Sequence, residues 1–126
     1  MTKYITVEGC TLNFQNGGSG VITPNPGQAS LKVKADGKGV YKTLKFSVSG
    51  YTGQAITVAG SGTGSGEIIA TAQHVKVEGN AVILEGDVSA QFTINGLKPA
   101  ESGTSPATAV EVVKVTAAGQ TKVKGA

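Results

Sequence analysis

The stretch Lys32-Val33-Lys34-Ala35-Asp36-Gly37-Lys38-Gly39-Val40 alternates basic and apolar residues, reverses at Asp36-Gly37 and returns through a valine. Its period is two, which is the mark of a strand with one wet and one dry face. The same sentence is written again in Lys76-Val77-Glu78-Gly79-Asn80-Ala81-Val82 and a third time in Lys114-Val115-Thr116-Ala117-Ala118-Gly119-Gln120-Thr121-Lys122-Val123. Equivalent lysines are 44 and then 38 residues apart. The unit is strand, glycine turn, strand. Three such hairpins around one axis would bury their valines centrally and give a pseudo-threefold body. The turn lengths differ, and a Gly- and Val-rich β chain produces such echoes without symmetry, so both readings stay open.

The flanking sequence repeats the pattern. Tyr4 to Glu8, Cys10 to Phe14, Val21 to Thr23 and Ala55 to Ala59 read as short strands, and Val40 to Val48 is a longer alternating run before Gly50. Glu67 to Leu84 reads as strand, turn at Gly79-Asn80, strand, and Gln91 to Ile94 runs into a turn at Asn95-Gly96. Lys98 to Thr108, with Pro99 and Pro106, reads as a polar loop, and Ala109 to Val115 and Thr121 to Val123 close the chain. Only Ala107 to Val115 could be drawn as a short helix, and its valines weigh against that. The expectation is an all-β chain of short antiparallel hairpins.

Composition agrees. The 126 residues suit one domain, 1–126, with 19 Gly and no Trp. Such a glycine share favours turns over long helices. The net charge of +3 rests on lysines alone, scattered and mostly alternating with valine. That is the pattern of wet strand faces and protected edges, and without arginine or clustered aromatics it gives no nucleic-acid surface. Cys10 is the single cysteine, so no internal disulfide frames the fold. Met1 to Tyr4 leads directly into a strand without a long apolar run, so the chain is expected to be made in the cytoplasm without a signal peptide.

Reaction chemistry finds few candidates. His74 is the only histidine and sits in an alternating stretch, where a solvated residue is expected. Cys10 reads as a buried or half-buried structural thiol. Glu85 and Asp87 read as a surface pair near a turn rather than as acids across a cleft. Gly60-Ser61-Gly62-Thr63-Gly64-Ser65-Gly66 lacks the Lys-Ser/Thr and helix of a phosphate cradle, and reads as a flexible hairpin loop or linker. Asp36 and Asp87 lack the alternating acids of a calcium loop. No catalytic residue, cofactor site or small-molecule substrate follows from these residues.

The stretch His74-Val75-Lys76-Val77-Glu78-Gly79-Asn80-Ala81-Val82-Ile83-Leu84-Glu85-Gly86-Asp87 resembles the hairpin motif of PAAR-like proteins, the spike tips of contractile injection machines. Ile94-Asn95-Gly96-Leu97-Lys98-Pro99-Ala100 is similar to that family's Asn-Gly-x-Pro-Ala, and Val7-Glu8-Gly9-Cys10-Thr11-Leu12 to its opening. The eponymous Pro-Ala-Ala-Arg is reduced to Pro99-Ala100, followed by Glu101. The resemblance implies a cone- or prism-like fold and a structural, non-enzymatic role in type VI secretion systems, extracellular injection particles or phage tails. Its partner would be a trimeric β-helical spike protein (VgrG-like), whose blunt end the tip caps by strand-edge continuation and apolar contact. The point would then meet a target membrane on puncture. Family members bind an apical metal with several histidines and a cysteine. Here only His74 and Cys10 are available, and a structural zinc wants four ligands, so the ligand set is incomplete and no metal site is carried over. The alternative is a β-sandwich binding module of an adhesin, fibre or carbohydrate-binding protein, with Tyr41 and Tyr51 as its chief stacking candidates.

Overall fold

The computed structural model describes residues 2–126. Thirteen strands and no helix are found among them: β1 (Lys3–Tyr4), β2 (Thr11–Phe14), β3 (Ser19–Pro24), β4 (Ala29–Ala35), β5 (Lys38–Tyr41), β6 (Leu44–Thr52), β7 (Gly62–Ile68), β8 (Lys76–Val77), β9 (Asn80–Ala81), β10 (Phe92–Ala100), β11 (Gly103–Glu111), β12 (Val113–Ala117) and β13 (Lys124–Gly125). The all-β reading therefore holds, and Ala107 to Val115 runs through β11 and β12 rather than a helix. One five-stranded antiparallel sheet runs β11-β10-β7-β6-β3. Four two-stranded pairs, β1-β13, β12-β2, β4-β5 and β8-β9, accompany it.

Two apolar clusters hold these pieces together. The first contains Leu44, Phe46, Val48, Tyr51, Ile56, Ile68, Ile83, Ile94, Val113 and Val115, with Phe14 and Phe92 at its margin. The Phe14–Tyr51 and Phe46–Phe92 rings meet edge to face at 5.1 and 5.4 Å, the arrangement the ring quadrupoles favour. The second cluster is smaller: Ile5, Val7, Ala35, Val40, Ala72, Val77, Val82 and Leu84.

The first two Lys-Val units are true hairpins. Ala35 pairs with Lys38 across Asp36-Gly37, and Val77 pairs with Asn80 across Glu78-Gly79. Both loops place two residues at positive φ, 53° and 77° in one and 49° and 84° in the other. That is the two-residue turn whose twist matches the flanking strands. The third unit differs: β12 pairs with β2 and β13 with β1, so Lys114 to Val123 does not close on itself. The central burial of valines is also partial. Val40, Val77, Val82 and Val115 are buried, but Val33 and Val123 are each 39% exposed.

Several sequence expectations need correction. Gly60–Gly66 is no flexible loop beyond Ser61, because Gly62–Ile68 is the middle strand of the large sheet. Glycine there makes room: a Cβ on Gly62 would lie 2.7 Å from Tyr51 Cβ, and one on Gly66 2.8 Å from Phe46 Cζ. The bare strand is the floor on which the aromatic rings lie. Likewise Asn95-Gly96 is not a turn and Lys98–Thr108 is not a loop. They belong to the β10-β11 hairpin, which turns at Glu101-Ser102. The run Val40–Val48 breaks at Lys42-Thr43, Ala55–Ala59 forms only a bridge between Gly53 and Ile56, and residues 69–75 and Thr121 to Val123 lie outside strands.

Candidate functional site

The segment Ile5–Glu8 is enclosed by all three Lys-Val units. Ile5 N donates to Val123 O at 3.0 Å, Thr6 N to Ile83 O at 2.8 Å, Val7 N to Ala118 O at 2.9 Å and Glu8 N to Gly39 O at 3.0 Å. Tyr41 N donates in turn to Thr6 O. The apolar side chains of this segment, Ile5 and Val7, form the middle of the second cluster. An extended segment has no local partners for its amides, so each must find one elsewhere. Here Gly39 of the first unit, Ala118 and Val123 of the third, and Ile83, one residue past the second, supply them.

Further contacts tie the units, or the residues beside them, to one another. Ser30 Oγ donates to Glu78 Oε2 at 2.6 Å, joining β4, just ahead of the first unit, to the second. Gln73 N and His74 N donate to Ala126 O, joining the approach to the second unit to the chain end beyond the third. Lys38 Nζ donates to Gly119 O at 2.8 Å, and Lys122 Nζ lies 3.2 Å from Asp36 Oδ1, joining the third to the first. Buried Gln120 locks the crossing: Nε2 donates to Ile5 O and Val123 O, while Oε1 accepts from Lys122 N and Val123 N. The Ser30 hydrogen bond holds the Glu78 carboxyl below its ordinary pKa against an opposing desolvation, helped by Lys42 and Lys32. A lowered carboxyl stabilises the fold above its unfolded pKa and loses that contribution as pH falls through the folded value.

The residues singled out for chemistry are dispersed. Cys10 follows the Glu8-Gly9 turn, half-buried against the first cluster, and shares a groove with Glu8, Gln28 and Tyr41. His74 is exposed in a bend rather than a strand, and lines a different groove with Lys3, Thr71 and Ala126. Among the described residues no group of three or more His, Cys, Asp or Glu is placed to hold a metal ion. The residues present therefore do not fit the family's apical metal. Asp87 is not on the surface: it is 4% exposed, and its carboxyl accepts from Leu84 N, Thr71 N and Thr71 Oγ1. Glu85 is half-buried and accepts from Ala118 N. Tyr41 and Tyr51 are 7% and 0% exposed, so neither can serve as a sugar-stacking platform. Burial pushes the Cys10 thiol up to about 11, a backbone hydrogen bond only partly opposing it. The sign follows: stability from this thiol is intact below the unfolded pKa and is lost as pH rises toward the folded value. At pH 8 a disulfide reagent is expected to label native Cys10 about a hundredfold more slowly than the unfolded chain. Equal rates would contradict this burial.

One cluster escaped the sequence. Glu111 is fully buried, and its carboxyl accepts from Tyr51 Oη at 2.6 Å, Asn16 N at 2.9 Å and Gly18 N at 3.0 Å. Burial, then the hydrogen bond and charge of Glu111, pushes the Tyr51 hydroxyl well above its ordinary pKa. The legible signal was parity, because Ala107, Ala109, Glu111, Val113 and Val115 all occupy inward positions. Beside it, Gln54 Oε1 accepts from Val110 N and Gln54 Nε2 donates to Val110 O. This caps the free edge of β11 at a point where another chain could otherwise pair. No family model matches the chain, and no curated protein or solved structure matches it.

Proposed function

We propose that the chain is a PAAR-like tip protein, a structural and non-catalytic cap on the trimeric β-helical spike of a contractile injection system. The observation that carries this reading is the gathering of the three Lys-Val units about Ile5–Glu8, by hydrogen bonds from the first and third and by apolar packing of Val77 and Val82 from the second. One chain that arranges three non-identical units about one segment can meet a threefold partner without three copies of itself. In this reading the group of units is the narrow end, with pseudo-threefold character, and the five-stranded sheet is the broad base. The outer face of that sheet supports the second assignment. The register places Thr63, Asn95 and Thr108 side by side there, with partly exposed Leu97 and Val110 on the same face. The charges there are Lys45 and Glu67, which oppose each other across β6 and β7, and a face so nearly neutral, with apolar patches, suits close contact with another β body.

Mechanical load favours such a construction. Ile5–Glu8 cannot leave without breaking hydrogen bonds to the first and third units and to Ile83 at once, and the β11 edge is protected by Gln54 and by Pro106, which has no amide hydrogen. Assembly into an injection particle would place the chain outside the producing cell. Cosedimentation with a purified trimeric spike tests the reading: the chain is expected to pellet with the spike and to stay in solution without it. Failure to pellet would overturn it.

A further inference from the structure

The geometry points to Leu31 as an apolar anchor that, with Lys32 and Lys34, seats the protein on an anionic phospholipid surface. This rests on the tip reading, since the leading end of a particle is what meets a bilayer. β4 breaks the rule its sequence follows. Ala29 pairs with Tyr41 and Lys34 with Gly39, so Ser30 to Val33 oppose Val40 alone. The bulge is fastened from inside: Ser30 is 1% exposed, its Oγ accepts from Lys32 N and Val33 N, and it donates to Glu78. Four consecutive residues, Leu31, Lys32, Val33 and Lys34, are thereby left exposed. Leu31 is 92% exposed and Val33 39%, the former the most exposed large apolar side chain described.

An apolar residue held that far into water gains most by burial in an apolar medium. The bulge and its lysines argue against an added strand, because a bent, charged edge does not pair. Charge chooses the medium. Lys32 and Lys34 follow the anchor on the same exposed stretch; of the nearby acids, Asp36 is paired with Lys122, and Glu78 is held by Ser30 with its charge shared between Lys42 and Lys32. Leucine inserted between headgroups, with lysines held at their level, is the interfacial pattern of a peripheral membrane contact.

The chain has no tryptophan, so Leu31→Trp reports on this one position. Its emission is expected to shift to the blue with vesicles of mixed phosphatidylglycerol and phosphatidylcholine, and to stay unchanged with phosphatidylcholine alone. Lys32→Gln together with Lys34→Gln is expected to weaken partitioning about thirtyfold, at roughly one lysine's electrostatic contribution each. Leu31→Ser, with both lysines intact, is expected to weaken it as well. No shift with anionic vesicles, or a shift only when the spike protein is added, would overturn the proposal. The same variants cosedimented with the spike separate the two readings: loss of vesicle binding with spike binding retained removes only the lipid contact.

Discussion

Replacing Glu111 with leucine is expected to destabilise the protein by about 3–5 kcal/mol, lowering the melting temperature by more than about 10 °C. Leucine has nearly the right bulk but accepts no hydrogen bond. Tyr51 Oη, Asn16 N and Gly18 N would all lose their acceptor, and each buried donor left unpaired costs about 1–3 kcal/mol. Asn16 lies nearest to water and recovers part of its share. Tyr51→Phe is the informative partner, since it removes one donor and leaves the carboxyl with two amides. Its cost is expected near about 1 kcal/mol. If thermal or denaturant melts place Glu111→Leu within error of wild type, the cluster does not hold the Asn16–Gly18 turn against the sheet.

The second large effect lies in the glycine stripe of β7. Gly62→Ala is expected to cost about 2–3 kcal/mol, because the new methyl would meet Tyr51 Cβ at 2.7 Å, Tyr51 O at 2.9 Å and Ile94 Cγ2 at 3.0 Å. A backbone oxygen is among those neighbours, so the clash cannot be relieved by turning one side chain. Gly66→Ala meets the Phe46 ring at 2.8 Å and Phe92 at 3.2 Å, and is expected to cost less, as rings can tilt. Ser65→Ala, on the exposed face between them, is expected to leave the melting temperature within about 2 °C. A flexible linker would tolerate all three substitutions alike. A period-two pattern of tolerance in denaturation midpoints is what a central strand requires.

These residues mark what the sequence could and could not say. The hairpin at Asp36-Gly37 was legible because turn chemistry and alternation act locally; the second hairpin was also legible, but its turn is Glu78-Gly79, one residue before the expected Gly79-Asn80, which leaves Asn80 in β9. The lysines were legible too, as none is buried. β7 was hidden because glycine has no side chain with which to display a period, and its purpose lies in Tyr51, Phe46 and Ile94 on other strands. Asn95-Gly96 misled for the same reason. Gly96 is needed not for a positive φ but because a Cβ would meet Ile56 Cγ2 at 2.6 Å, a contact from 40 residues upstream. Asp87 looked like a surface acid until Thr71 and Leu84 N were found around it. Leu31 and Val33 alternate with lysine as an inward face should, yet the bulge closed by Ser30 turns them out. Local signals set the strands; the long-range contacts decided which face each one buries.

The same division applies to the functional reading. A threefold echo could be read from the three Lys-Val units, but not the contacts of Lys38 with Gly119 and of Lys122 with Asp36 that join the third to the first, nor the packing of Ile5–Glu8 among them. We propose that this single chain caps a threefold spike. Native mass measurement of the purified spike–tip complex tests it most directly. One chain per spike trimer is the expected ratio; three chains per trimer, or a trimer that carries none, would contradict it.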